Sequence, residues 1–337
     1  MNSEDIWRLT AQDLAKATTH GDITAEEATK ASIDRMREVN PVLNAVVVDL
    51  SEQALERARQ LDIDRANGKN SGILHGLPVT IKINVDQAGC PTSNGIPALQ
   101  TDIANVDAPV VRNLQNAGAV VIGRTNTSEF SFRADTDNPL HGRTHNPWGK
   151  HVSAGGSSGG AASAVMAGIG SLGHGNDIGG SLRFPASANG AVTIKPGLGR
   201  VPAWNPSQKD ERGMLAQSMS VQGLLTRSAA DLELAMPAII NSDPRDPFHV
   251  PLPYRMAPKL TKSRVAFCKE TPGFDTHPEV YKALNTAADA LRDAGYDVQE
   301  IHLPFLQETG EIAYRALMGE VAELMGPDIR ANGSDTI

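Results

Sequence analysis

Between residues 77 and 301, short apolar runs of β character alternate with helical patterns, and this alternation constrains the fold more than any other feature of the 337 residues. Leu77-Pro78-Val79-Thr80-Ile81 reads as a strand, residues 109–117 as a helix closed by Gly118, and Ala119-Val120-Val121-Ile122 as a buried strand. A helical run over 161–167 follows a glycine cluster. Strand-like 191–194, helical 229–240, strand-like 263–267, an amphipathic helix over 278–294 and strand-like 297–301 complete the series. Alternation of this kind predicts α/β layers, here one domain over residues 1–337 with a mixed, largely parallel sheet between helices. Residues 1–70 read as helices on the outside of that domain. Thr24-Ala25-Glu26-Glu27 is a capping box opening a helix to about Asn40, and Ser51 begins a second that fades near Asn67-Gly68.

Composition narrows the function. Lys and Arg number 31 against 39 Asp and Glu, a formal charge of −8. A nucleic acid held by its phosphates needs a basic face, so this balance argues against one. Cys90 and Cys268 are the only cysteines, which fits a reduced, cytoplasmic setting better than a disulfide framework. There is no basic-then-apolar leader at the amino terminus and no apolar run of membrane-spanning length. Residues 241–262 hold five prolines and read as a linker, a flap or a surface excursion. The polar stretch over 326–337 lacks a closing element and reads as a chain cut short.

Two glycine-serine clusters stand apart: Ser153-Ala154-Gly155-Gly156-Ser157-Ser158-Gly159-Gly160, and Asn176-Asp177-Ile178-Gly179-Gly180-Ser181-Leu182-Arg183. Glycine lets backbone approach a ligand closely, and serine supplies a hydroxyl that attacks or relays a proton. Such clusters are most often flexible loops. Two of them, separated by an apolar helical run, suggest chemistry instead. A phosphate-binding loop needs a Gly-Lys-Ser/Thr end that neither cluster has. Gly155-Gly156-Ser157-Ser158-Gly159 matches the nucleophile elbow of α/β-hydrolases, but turn-like residues 146–151 precede it where a buried strand is required. His141 and His145 have a metal-ligand spacing only if helical, and Gly142 and Pro147 argue for a loop, so no metal or other cofactor is expected.

The third chemical reading comes from a resemblance. Gly155 to Gly160, the small-residue helix, Asp177-Ile178-Gly179-Gly180-Ser181-Leu182-Arg183-Phe184-Pro185, Gly190 and Lys195-Pro196 resemble, in order and spacing, the signature of the amidase signature family. His75-Gly76-Leu77-Pro78-Val79-Thr80-Ile81-Lys82 is similar to that family's lysine strand, and residues 113–130 to its Gly-Arg/Lys-Thr-Asn segment. The resemblance covers roughly residues 9–305.

It implies an amidase signature fold and an amidohydrolase that cleaves a carboxamide C–N bond through a serine acyl-enzyme. It further implies Ser181 as nucleophile, Ser157 as a bridging serine after a cis peptide, and Lys82 as base. The backbone N–H groups of Ile178, Gly179, Gly180 and Ser181 would form the oxyanion hole. Ser158, Asp177 and Arg183 would support the triad through hydrogen bonds, with Asp177–Arg183 equally readable as a plain ion pair. A lysine is a base only when neutral, and Lys82 lies beside apolar residues that suit desolvation.

Two departures from the family pattern stand out. Asn176 occupies the place of a small hydroxyl residue. Ile83 fills a position often held by Asp, which favours a neutral lysine, and Asn84 follows it. Family chains are also usually longer at the carboxyl end. Rival readings are the glutaminase-type A subunit of a tRNA-dependent amidotransferase, which would bring a protein partner, and a non-catalytic scaffold. The partner otherwise expected is a small-molecule amide, with no nucleic acid and no membrane, and a homodimer left open.

Overall fold

The computed structural model describes residues 3–69, 71–208, 212–254, 263–335 and 337. Contacts divide the chain into two compact units, Met1–Tyr254 with Gly326–Ile337, and Arg255–Met325.

The first unit begins with α1 (Ser3–Ile6), α2 (Ala11–His20) and α3 (Ala25–Leu43). As the sequence predicts, α3 opens on a capping box: Thr24 accepts from the Glu27 N–H while the Glu27 carboxylate accepts from the Thr24 N–H. There follow β1 (Val46–Asp49), α4 (Ser51–Ala66), β2 (Pro78–Lys82), α5 (Pro109–Asn116), β3 (Val120–Thr125), α6 (Gly159–Met166), β4 (Leu172–Asp177), α7 (Arg183–Asn189) and β5 (Val192–Thr193). The series closes with α8 (Met214–Met219), β6 (Val221–Thr226) and α9 (Ala229–Ile239). The second unit contains β7 (Arg264–Phe267), α10 (Pro278–Asp293), β8 (Asp297–Glu300) and α11 (Leu306–Leu324), with β7 and β8 paired in parallel. In the polar tail, where no closing element was expected, α12 (Gly326–Asn332) forms and belongs to the first unit.

The main sheet has the order β1-β3-β2-β4-β6-β5. β3, β2 and β4 are parallel neighbours, while β1 and β6 run against them at either side and β5 pairs antiparallel to β6. Four of the six strands therefore point the same way, in a mixed α/β sheet.

Helices cover both faces because side chains alternate along each strand. Val79, Ile81 and Val121 join a core with Leu14 of α2, Leu114 of α5 and Leu232 of α9. Val120 and Ile122 join the opposite core with Ile33 and Met36 of α3, Leu61 of α4 and Ala164 of α6. On β2, Thr80 and Lys82 have the parity opposite to Val79 and Ile81. The lysine thus leaves the strand away from the first core, on the side where α6 begins.

The proline-rich excursion is anchored over its described part, residues 241–254. Asp243 pairs with Arg112 of α5 and with Arg245, and Asn113 Nδ2 donates to the Asn241 carbonyl at 2.7 Å. Residues 255–262 of that excursion lie outside the described residues.

The start of α6 is pressed onto backbone. A Cβ at Gly160 would lie 2.5 Å from the Asn126 nitrogen and 2.8 Å from the Ala45 oxygen, two atoms that are hydrogen-bonded to each other at 2.9 Å. Backbone cannot yield as a flexible side chain does. Gly160→Ala should therefore destabilise the protein by about 2 kcal/mol, read as a lower denaturant midpoint. An unchanged midpoint would mean that α6 does not approach this closely.

Candidate active site

β2 delivers Lys82 at its carboxyl end, and the side chain is fully buried. Its Nζ lies 2.8 Å from Ser157 Oγ, 3.0 Å from Ser158 Oγ and 2.8 Å from Asn176 Oδ1. Burial, which disfavours the ammonium form, pushes the Lys82 pKa from its ordinary 10.5 to about 7; the nearby Asp177 charge works weakly the other way. No carboxylate contacts the amine among the described residues. On β3, Arg124 NH2 donates to the Lys82 and Val85 carbonyls and holds the strand end in place.

The first glycine-serine cluster carries Ser157 and Ser158 into the amino end of α6. The Gly156–Ser157 peptide is cis. Thr136 fixes the loop, donating to the Gly155 carbonyl at 2.8 Å and accepting from the Gly159 N–H at 3.0 Å. Gly155 has φ +69°, and a Cβ there would sit 2.7 Å from the Pro185 Cα, so only glycine fits.

The second cluster turns sharply after β4, and Asp177 shapes the turn. Its buried carboxylate accepts from the Gly180 N–H at 2.9 Å, the Leu182 N–H at 3.1 Å and the Arg183 N–H at 3.3 Å. It also accepts from Arg183 Nε at 3.0 Å and NH2 at 2.9 Å. Burial alone would raise the Asp177 pKa, but the Arg183 guanidinium and these amides outweigh it and hold the carboxyl below its usual range. Asp177 and Arg183 form an ion pair, and the same carboxylate gathers the backbone N–H groups of the turn that carries Ser181.

Ser181 is partly exposed, and its carbonyl accepts from the Ser158 N–H at 3.3 Å, which ties the two clusters together. Among the described residues, Ser181 Oγ makes no hydrogen bond, so the expected contact with Ser157 Oγ is not formed in this state. One member of the expected oxyanion hole is also engaged: the Gly180 N–H already donates to Asp177. Ile178, Gly179 and Ser181 are the remaining amides of that set.

Asn176 and Asn84, flagged in the sequence only as departures from a pattern, are joined. Asn176 Nδ2 donates to Asn84 Oδ1 at 3.0 Å, and Asn84 Nδ2 donates to Asn176 Oδ1 at 3.2 Å and to Ser131 Oγ at 2.9 Å. Ser131 in turn donates to Asn94 Oδ1 at 2.7 Å. No motif marks Ser131 or Asn94; Ser131 ends a short 3-10 turn (Glu129–Ser131), Asn94 sits in a loop, and both have positive φ, which only the folded chain reveals.

His174, the histidine most easily mistaken for a base, is fully buried on β4. Its Nδ1 accepts from the Lys82 N–H at 3.4 Å and its Nε2 shares a 2.9 Å hydrogen bond with Gln222 Oε1. Burial pushes its pKa down to about 3, so it is neutral and has both nitrogens occupied. His141 and His145 lie in a loop rather than on a helix.

The arrangement offers an amine whose pKa burial brings down to about 7, two hydroxyls around it, and a third hydroxyl presented at a turn rich in backbone N–H groups. The amidase family profile matches residues 27–334. The indoleacetamide hydrolase of Bradyrhizobium diazoefficiens is 54% identical over 299 residues, which are 89% of this chain and 57% of that protein. The glutamyl-tRNA(Gln) amidotransferase A subunit from Moorella thermoacetica is 36% identical over 89% of this chain and 61% of its own length. The solved peptide amidase of Stenotrophomonas maltophilia superimposes with a TM-score of 0.81 at 29% identity, over 97% of this chain and 68% of that one. The chain thus spans little more than half the length of the curated relatives it matches.

Burying the lysine has a stability consequence. Its folded pKa lies below its unfolded one, so the unfolded chain binds the extra proton between about pH 7 and 10.5. The cost is full below about pH 7, shrinks as pH rises through that window, and amounts to a few kcal/mol at ~1.4 kcal/mol per pH unit. Lys82→Met should therefore raise the denaturant midpoint more at pH 6 than at pH 10. A gain independent of pH would show that the amine is not held neutral by burial.

Proposed function

This chain belongs to the amidase signature family, and on that premise we propose that it hydrolyses a carboxamide to a carboxylic acid and ammonia or an amine, with Ser181 as nucleophile. The observation that carries the reading is the fully buried amine of Lys82, with a pKa near 7, hydrogen-bonded to Ser157 and free of any carboxylate contact among the described residues.

In acylation the Ser181 hydroxyl proton passes to Ser157 as the Ser157 proton passes to Lys82 Nζ. Ser181 Oγ bonds to the carbonyl carbon, and the oxyanion is met by the amides of Ile178, Gly179 and Ser181. Collapse returns the proton through Ser157 to the leaving nitrogen as the C–N bond breaks. Water then attacks the ester by the same relay. For this cycle the Ser181 side chain must swing onto Ser157. Its partial exposure and lack of a competing hydrogen bond among the described residues are consistent with that movement.

The similarity to an indoleacetamide hydrolase supports a primary carboxamide, and makes indoleacetamide the first substrate to test. The similarity to amidotransferase A subunits supports a second reading, in which the same triad frees ammonia from glutamine for a protein partner. Ammonia release from glutamine and co-purification with a second protein chain would favour the latter. A scaffold would leave Ser181 unlabelled by a fluorophosphonate. All proposed site residues lie in the first unit, and we read them as belonging to one amidase domain. No helix among the described residues is long and apolar enough to cross a membrane, and the separate thiols of Cys90 and Cys268 support a cytoplasmic setting.

Acylation should rise with pH through one ionisation near 7 and then level off, well below the 10.5 of an ordinary lysine. Lys82→Ala and Ser181→Ala should each reduce acylation by about a thousandfold or more, and Ser157→Ala should leave a residue of activity. His174→Ala should keep the pH midpoint. Loss of acylation in His174→Ala, with activity retained in a folded Lys82→Ala, would remove lysine as the base.

A further inference from the structure

A neutral lysine amine has two N–H donors and one electron pair, and acts as a base only along that pair. Three oxygens surround Lys82 Nζ, and the hydroxyls of Ser157 and Ser158 are each able to donate or accept. Asn176 Oδ1 accepts only. Whether the electron pair reaches Ser157 therefore depends on which neighbours claim the two N–H groups.

We propose that Asn176, locked by its reciprocal amide pair with Asn84, is a positioning residue that directs the free electron pair of Lys82 at Ser157.

The direction of each hydrogen bond follows from the next. Ser131 donates to Asn94 Oδ1, so it accepts from Asn84 Nδ2. That orients the Asn84 amide with its oxygen toward Asn176 Nδ2. The Asn176 oxygen is thereby turned to Lys82, where it takes one N–H at 2.8 Å. Ser158 donates to the Asn176 backbone carbonyl at 3.4 Å, which leaves its oxygen to accept the second N–H at 3.0 Å. The one remaining direction on the nitrogen points at Ser157 Oγ, 2.8 Å away, whose hydroxyl must then donate. The Ser157 oxygen is left able to receive the Ser181 proton. Once Lys82 is protonated, the same direction carries an N–H, which returns the proton along the same path.

The ionisable groups around the amine do not compete for this role. On β4, His174 is neutral with both nitrogens occupied, and Asp177 is spent on Arg183 and on backbone amides. Arg124 of β3 faces the carbonyls of Lys82 and Val85, near Asp86 and Cys90 of the loop after β2. α6 carries no ionisable residue, and none on α3 is buried.

The inference rests on Lys82 being the base, and the experiment separates the two. The rate of Ser181 phosphonylation by a fluorophosphonate, in which an O–P bond forms and fluoride leaves, is measured from pH 6 to 10. Asn176→Asp keeps an acceptor in the same place but adds charge. Its midpoint should move up by at least about one pH unit while its plateau stays within about threefold of the parent. Asn176→Leu removes the acceptor, and its plateau should fall about tenfold or more with no upward shift of the midpoint. Asn176→Ala replaces it should the leucine not fold, as judged by thermal melting. Equal losses in both variants without a midpoint shift, or a parental plateau in Asn176→Leu, would overturn the inference. Lys82→Ala labelled at the parental rate would overturn the base and this inference together. No labelling in Lys82→Ala beside a parental plateau in Asn176→Leu would overturn the inference alone.

Discussion

Everything in the site depends on one unfavourable act, the removal of the Lys82 amine from water without giving it a carboxylate. An ammonium so placed would be stabilised by an acidic partner, and the amine would then stay protonated and unavailable as a base near neutral pH. Here the nearest acid, Asp177, is turned away and neutralised by Arg183 and three backbone amides. What surrounds the nitrogen is neutral: two hydroxyls and an amide oxygen. Burial without compensation is what brings its pKa close to neutrality.

The fold supplies that burial cheaply. Parity along β2 puts Val79 and Ile81 into one core and sends Lys82 to the other side, toward α6. Helix α6 lies close to neighbouring backbone because it opens on Gly159-Gly160, without side chains there to hold it off. The same closeness brings Ser157 and Ser158 within hydrogen-bond reach. His174 fills the space beside the lysine as a neutral, fully bonded polar group, so a buried histidine next to Lys82 adds no competing charge.

Asp177 and Asn176 are adjacent on β4 yet act in opposite directions, as strand alternation requires. One gathers the turn that presents Ser181, and the other faces the lysine. A strand of six residues thus sets both the turn that carries Ser181 and the surroundings of Lys82, with the two glycine-serine clusters tied through the Ser158 N–H and the Ser181 carbonyl.

Much of this was legible in the residues alone. The capping box at Thr24, strands β2 and β3, and helices α5, α6, α9 and α10 follow from local pattern, because apolar periodicity and capping are properties of neighbouring residues. The spacing of the glycine-serine clusters and the Lys82 strand pointed to the candidate site, because close backbone approach demands glycine whatever the surrounding fold. Strand β4 was not legible. Leu172-Gly173-His174-Gly175-Asn176-Asp177 has weak β propensity, and it is extended because β2 and β6 flank it. The chain of hydrogen bonds that runs from Asn176 through Asn84 and Ser131 to Asn94 was hidden for the same reason. Asn84, Ser131 and Asn94 lie 92, 45 and 82 positions away, and hydrogen bonds between such residues exist only once the sheet has brought their loops together. Residue types that can attack, relay and accept a proton are written in the sequence. Which of them faces which, and with which atom, is decided by tertiary contacts, because a hydrogen bond's direction depends on every other bond its partners make.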